Sequence, residues 1–347
     1  MAELIPVRQG EELDMRALAP FLAEVFSDGG PWEVQQYASG HSNLTYLLTS
    51  PARSVVLRRG PMGPVAPRAH DMVREHRFLE ALHDQYPWAP AVYARSEDGH
   101  TLGAPFFVME PRRGVLIDRA WLNGHPYRHE EGRRISDVMV NRLVDLHRVP
   151  WQRSALASMV KPEGFMRRQV EGWVARYQRA KTEEVPGVER LCRFLLERVP
   201  ESRDATVVHY DYKLDNVLFD DRLDDLAGVF DWEMATVGDP LADLAVAMSY
   251  WTEAGDPAIL KEALGEAPVT MEPGFYTRRE WIEAYAARSG RAIHDFGYYL
   301  SFAYFKLAVI LAQIYFRYLK GQTQDARFAH FGEATRQLLM VAMDVEL

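Results

Sequence analysis

Cysteine is almost absent from this 347-residue chain. Cys192 stands alone, so no internal disulfide can form, and the usage suits a reducing compartment. Positive charge is not in excess either. Forty basic against forty-nine acidic residues give a net charge of −9, which argues against a nucleic-acid binder held by phosphate contacts. The N-terminus, Met-Ala-Glu-Leu-Ile-Pro, lacks a basic stretch followed by an apolar run, so no signal peptide is expected. An uninterrupted apolar run of membrane-spanning length is missing as well. The nearest, residues 298–318, is broken by Lys306 and Gln313. A lysine at mid-bilayer costs roughly 3 kcal/mol, so a buried core helix is expected there. The rest is an ordinary globular composition, 48% hydrophobic and 26% charged, long enough for two domains or one large bilobed one.

Residues 207–219 read Val-Val-His-Tyr-Asp-Tyr-Lys-Leu-Asp-Asn-Val-Leu-Phe. Apolar residues bracket a polar cluster, the pattern of strand, tight loop, strand. Fifteen positions after Asn216, the run Gly-Val-Phe-Asp-Trp-Glu brings a second apolar strand to a carboxylate, Asp231. His209, Asp211, Asn216 and Asp231 make a phosphoryl-transfer layout. Such chemistry needs one carboxylate to orient the attacking hydroxyl, plus an amide oxygen and a second carboxylate to hold Mg²⁺ against nucleotide phosphates. Asp211 is the candidate catalytic carboxylate, and an ordinary aspartate pKa suffices, because the reaction asks mostly for positioning. Asn216 and Asp231 offer the hard oxygen donors that Mg²⁺ prefers. His209 is placed to brace the loop by hydrogen bonding, and Asp215 to cap local backbone.

The pattern His209-x-Asp211-x-x-x-x-Asn216, followed by Asp231, resembles the catalytic loop and metal motif of eukaryotic-like kinases. Its wording is most similar to the aminoglycoside phosphotransferase and choline kinase branch. Within that branch it resembles the kinase-like domains found beside acyl-CoA dehydrogenases in larger proteins. The resemblance covers nearly the whole chain. It implies a bilobed α+β fold, with a small antiparallel-sheet lobe over residues 1–110 for nucleotide binding. Residues 111–347 would form a larger, mainly helical lobe for catalysis and substrate. ATP and Mg²⁺ are the implied cofactors.

Further site residues follow from the same resemblance. Gly40 and Asn43 lie in a hairpin where kinases keep the phosphate-covering loop, although one glycine stands where three are usual. Arg58, in Val-Val-Leu-Arg, takes the place of the strand lysine on the α- and β-phosphates. That is a departure, because a guanidinium fork is not a point charge; Arg59 is an adjacent rival. Met109 and Glu110 end the apolar strand before the implied hinge. Lys213, two after Asp211, is a phosphate contact or a solvated loop lysine. His147 resembles a recurrent structural histidine.

Periodicity adds the rest. Residues 11–26 read as an amphipathic helix with Leu18, Leu22 and Val25 on one face. In the helix expected over 69–83, Glu75 falls on the apolar stripe of Met72, Leu79 and Leu82, so it needs a cationic partner, for which Arg58 is the candidate. Helices are also expected over 135–147, 165–179 and 188–199. Gly-Asp-Pro at 238–240 reads as a turn into a helix, with Asp239 as N-cap and Pro240 at the first helical position. Gly238 follows Asp231 by only seven positions, which leaves no room for a segment that grips a polypeptide.

The expected substrate is therefore a small-molecule hydroxyl compound. Residues 271–320 hold seven basic side chains against four acidic ones, the reverse of the whole chain. That balance favours a neutral or anionic acceptor with an apolar portion, such as a hydroxyacyl thioester, over a polycationic aminoglycoside. Two other readings stay open, a metal-dependent hydrolase using His209, Asp211 and Asp231 and a catalytically weak nucleotide-binding module. Expected partners are the small molecule and, in assembly, a second copy of the chain. No nucleic acid or membrane is expected, and the expected setting is cytoplasmic.

Overall fold

A computed structural model describes residues 4–27, 30–38, 43–61, 71–262, 268–323 and 325–345. In chain order its elements begin with β1 (Leu4–Ile5), α1 (Met15–Phe26), β2 (Glu33–Tyr37), β3 (Leu44–Thr49), β4 (Ser54–Arg59), α2 (Met72–Leu82), β5 (Val92–Ser96) and β6 (Phe106–Met109). Then come α3 (Arg119–Gly124), α4 (His129–Leu146), α5 (Phe165–Ala180), α6 (Val188–Glu197), β7 (Thr206–Val208), β8 (Val217–Phe219), β9 (Leu226–Val229) and β10 (Thr236–Gly238). The last are α7 (Pro240–Tyr250), α8 (Ala258–Glu262), α9 (Arg278–Ser289), α10 (Phe296–Leu319) and α11 (Phe331–Asp344).

The chain divides into two compact units. One comprises Met1–Leu116, Gln152–Ser158 and Leu214–Ala235; the other comprises Ile117–Trp151, Met159–Lys213 and Thr236–Leu347. Compactness thus groups Leu214–Ala235, which a cut near Glu110 leaves with the second half, with the first unit.

The first unit is built on a six-stranded antiparallel sheet in the order β1-β2-β3-β4-β6-β5. Strand β3 alternates as its sequence does. Leu44, Tyr46 and Leu48 are buried and pack with Leu18 and Leu22 of α1, Leu57 of β4 and Val108 of β6 in one core. Val25, expected on the same helix face, is 36% exposed. The stripe fades in the last turn, where Val25 lines an open groove with Phe21 and Tyr93. Helix α2 starts from Asp71, whose side chain accepts the Arg74 N–H, and buries Met72, Glu75, Phe78, Leu79 and Leu82. Ala69 and His70, expected in this helix, lie outside the described residues. The β8–β9 hairpin belongs to this unit, as does Trp232, whose ring packs against Phe78 and Tyr86.

The second unit is mainly helical. Ile135, Val138, Met139, Leu143 and Leu146 of α4 are all buried, as their spacing requires. Helix α10 is long and apolar enough to cross a membrane, yet most of its length is buried within this unit, against α5, α7 and α11. Strand β10, where the sequence showed only the approach to a helix, pairs antiparallel with β7 and places Val237 opposite Val207. Three residues are too few for a readable alternation, so tertiary pairing decides the conformation.

Asp239 joins this short strand to α7. Its carboxylate accepts from the Leu241 N–H, the Ser202 hydroxyl and the Tyr299 hydroxyl, and the residue is buried. Asp239→Ala removes an N-cap worth about 1 kcal/mol and orphans the buried Tyr299 hydroxyl. Chemical denaturation should register a loss of about 3 kcal/mol, whereas Asp239→Asn, which keeps an acceptor oxygen, should lose clearly less.

Candidate functional site

In the first unit the site centres on Arg58. Arg58 is the last residue but one of β4, and strand alternation sends its side chain and that of Arg59 to opposite faces. Arg58 Nε lies 3.0 Å from Glu75 Oε1, and its Nη2 donates to Asp231 Oδ1 at 2.7 Å. Arg59 turns away and bonds the Gly60 and Leu102 carbonyls, so it is no rival for Glu75. Glu75 is 2% exposed, and Arg58 answers the demand that burial on α2 creates.

A third carboxylate joins them. Glu233 accepts from Asn43 Nδ2 at 2.9 Å, and Asn43 is itself buried. Three acids thus crowd one guanidinium. Burial works to lower the Arg58 pKa, but the Glu75 and Asp231 carboxylates outweigh it and hold the cation firmly protonated. Burial raises Glu75, with Arg58 only partly countering. Burial and then Asp231 push the Glu233 carboxyl up to about 7. The cluster is short of positive charge.

Backbone placement is as specific as the charges. Asp231 sits in the left-handed region at φ 63°, a conformation that costs about 1–2 kcal/mol outside glycine, although Asp tolerates it better than most. Two contacts hold this segment. Arg74 of α2 donates to the Glu233 and Ala235 carbonyls, and the Phe230 N–H donates to the Asn216 carbonyl at 2.8 Å. Asn216 ends a single 3₁₀ turn, Leu214–Asn216, and so stands beside β8 in the same unit as Asp231. At the end of β6, Met109 is buried. The Glu110 N–H is bonded to the Ala91 carbonyl at 2.9 Å, so a hinge contact to a base would need another group of that segment. Gly40 lies outside the described residues.

In the second unit the site is the loop after β7. Asp243 of α7, fully buried, accepts the His209 N–H at 2.8 Å, the Tyr210 N–H at 2.7 Å and a bond from His147 Nε2 at 3.1 Å. His147 Nδ1 in turn meets the Tyr285 hydroxyl at 2.7 Å. Burial would raise the Asp243 carboxyl, but His147 and His209 hold it below its ordinary value. His209 is buried, and its Nδ1 accepts the Asp211 N–H at 3.3 Å, a bracing contact within the loop. Between them Tyr210 takes φ 67°.

Asp211 meets Lys213 Nζ at 3.0 Å, and the same ammonium lies 4.6 Å from the centre of the Tyr250 ring. Burial pushes the Asp211 carboxyl up, yet Lys213, Lys306 and His209 outweigh it and keep it below the usual range. It is therefore ionised at neutral pH and able to accept a hydrogen bond from a hydroxyl.

The structure thus brings Arg58, Glu75 and Asp231 together in one unit, and His209, Asp211 and Lys213 together in the other. Four residues given no role in the sequence analysis complete these groups. Glu233 stands two after Asp231, Arg74 precedes Glu75, and Asp243 is a lone acid in an otherwise apolar helix. Lys306 interrupts an apolar run, and that interruption was itself the legible signal.

A model of the phosphotransferase enzyme family matches residues 33–281. Among relatives, acyl-CoA dehydrogenase family member 10 of Mus musculus is 32% identical over 98% of this chain, which spans only 32% of that protein. A structure from Ralstonia eutropha, classed as an aminoglycoside phosphotransferase, is 28% identical, covers 97% of this chain and 100% of its own, and has a TM-score of 0.79. Choline kinase from Cryptosporidium parvum, 12% identical, covers 96% and 98% with a TM-score of 0.63, a likeness of fold. The chain belongs to the phosphotransferase enzyme family and, by that membership, is a small-molecule kinase.

Proposed function

We propose that this kinase moves the γ-phosphoryl group of ATP, with Mg²⁺, to a hydroxyl of a non-cationic small molecule, a hydroxyacyl thioester being the favoured acceptor. The observation that carries the first part is the cation-poor cluster of Glu75, Asp231 and Glu233 around Arg58. Its donors suit a hard divalent ion, for which Asp231 and the amide oxygen of Asn216 are the intended ligands. When bound, Mg²⁺ would neutralise charge on the transferring phosphate. Asp211 receives and orients the acceptor hydroxyl, His209 braces the loop, and Lys213 offers a cation to the phosphate. Arg58 takes the phosphate contact of the family lysine, with Glu75 aligning it. The sequence assigns Gly40, Asn43, Met109 and Glu110 to the nucleotide.

Kinship supports this acceptor more than charge does. Arg278 is paired with Glu253 and Asp256, Arg288 with Asp137, and Arg291 with Asp204. Three of the seven basic side chains of residues 271–320 are therefore paired with acids of the protein itself. What favours a thioester is that the relatives are named as acyl-CoA dehydrogenases. A second reading, a weak nucleotide-binding module, draws on Arg58 itself, whose guanidinium already occupies an oxygen of Asp231.

Three outcomes are expected. Asp211→Asn should lower turnover on the order of 10²–10⁴-fold with Mg·ATP binding retained, whereas Asp231→Ala should weaken metal-dependent nucleotide binding in calorimetry. Wild-type turnover by Asp211→Asn would remove the loop from catalysis. Alanine at Arg58 or Glu75 should each raise KM for ATP or cut turnover, and the double variant should cost little more than either single change; full additivity would deny that the two act as a pair. In a coupled assay across aminoglycosides, choline-like amines, sugars and hydroxyacyl-CoA compounds, turnover should concentrate on the last class. Efficient phosphorylation of kanamycin-type substrates would overturn the acceptor assignment.

A further inference from the structure

Lys306 is the buried cation of the second unit that the reaction, as described, leaves without a role. It lies in the middle of α10 among Phe302, Phe305, Leu307 and Ala308, all buried, and is itself only 3% exposed. A helix in this setting gains nothing from an ammonium group unless that group is used, because burying an unpaired charge is expensive. Lys306 Nζ donates to the Tyr210 carbonyl at 2.9 Å. It also stands 4.4 Å from the centre of the Tyr210 ring and 5.8 Å from that of Trp173 on α5. One ammonium therefore holds one residue twice, by its carbonyl and by its ring.

The residue held is the one that needs holding. Tyr210 lies between His209 and Asp211 with a left-handed backbone, where a side chain other than glycine's is strained. Its ring is buried edge-on against Phe165. Asp243 fixes the amide side of the loop through the N–H groups of His209 and Tyr210, while Lys306 fixes the carbonyl side. The peptide whose oxygen Lys306 grips is the one that leads into Asp211.

We propose that Lys306 is a positioning residue for phosphoryl transfer: it clamps Tyr210 in its left-handed conformation and presents a buried positive charge to the Asp211 carboxylate. The titratable and charged groups around it are Asp211 and Lys213 on the loop and Asp243 on α7. Arg176 of α5 acts on Tyr210. Burial lowers the Lys306 ammonium to about 8, with Asp211 opposing that shift and Lys213 adding to it. The clamp is thus charged at neutral pH and weakens as the pH rises through that value. Arginine at this position would not lose its charge.

The kinetic arm of the test rests on the phosphotransfer reading; the spectroscopic arm does not. In the full chain, Lys306→Met should lower kcat by about tenfold or more, as misplacement of a reacting group does, with KM for ATP changed less than about twofold. A purely structural lysine would instead lower the melting temperature without separating kcat from KM. Lys306→Arg, where it folds, should recover turnover and remove the wild-type decline above pH 8. In the free protein, the ¹³C signal of the Asp211 carboxyl, assigned with Asp211→Asn, should titrate at higher pH in Lys306→Met than in wild type. Should Lys306→Met not fold, Lys306→Gln, which keeps an N–H donor and drops the charge, gives the same readout. An unmoved Asp211 titration overturns the inference, as does a kcat equal to wild type. If the wild-type chain phosphorylates no acceptor at all, the phosphotransfer reading falls, and the Asp211 titration still decides the role of Lys306.

Discussion

A carboxylate buried on a helix has to find a cation, and much of the first unit follows from that requirement at Glu75. The apolar stripe of α2 carries Glu75 inward, the pleat of β4 turns Arg58 to meet it, and Asp231 takes the other side of the same guanidinium. The pair is worth little as a source of stability, since desolvating two charges offsets most of their attraction. Its value is in direction. A guanidinium anchored at Nε by Glu75 has its remaining donors aimed, and a planar fork aimed at a phosphate is a specific contact. In the proposed function Arg58 serves the phosphate through geometry, which a flexible point charge would supply less well.

The loop after β7 is governed by a different constraint, the cost of keeping non-glycine backbone in the left-handed region. Tyr210 and Asp231 both adopt it, within a few residues of the groups proposed to act. Each is held by groups distant in sequence. Asp243 and Lys306 hold the first, while Arg74 binds the segment that follows the second. Strain of this kind persists only where the surroundings over-determine it. In both units those surroundings are helices whose apolar faces are otherwise ordinary core.

Much of this was legible in the chain itself. Glu75 on the stripe, the spacing of His209, Asp211 and Asn216, and Asp239 before Pro240 are local patterns, and the structure places each in the element its pattern implied. What could not be read are contacts between residues far apart in sequence. Asn43 with Glu233 spans 190 positions, and Lys306 with Tyr210 spans 96. Charge counting over a segment meets a related limit. Arg278, Arg288 and Arg291 counted toward the basic surplus of residues 271–320, but their partners Glu253, Asp256, Asp137 and Asp204 lie outside that window. A count over a segment sees the cations and misses the acids that neutralise them.

Because the proposed function gives Arg58 to a phosphate and Asp231 to the metal, it requires the two to part when the nucleotide binds. A crystal structure with Mg²⁺ and a non-hydrolysable ATP analogue tests this most directly. The account predicts a divalent ion on Asp231 and Asn216, with Arg58 still paired to Glu75 but its outer nitrogens turned from Asp231 to a phosphate. Arg58 still bonded to Asp231, with the phosphates bound elsewhere, would contradict it.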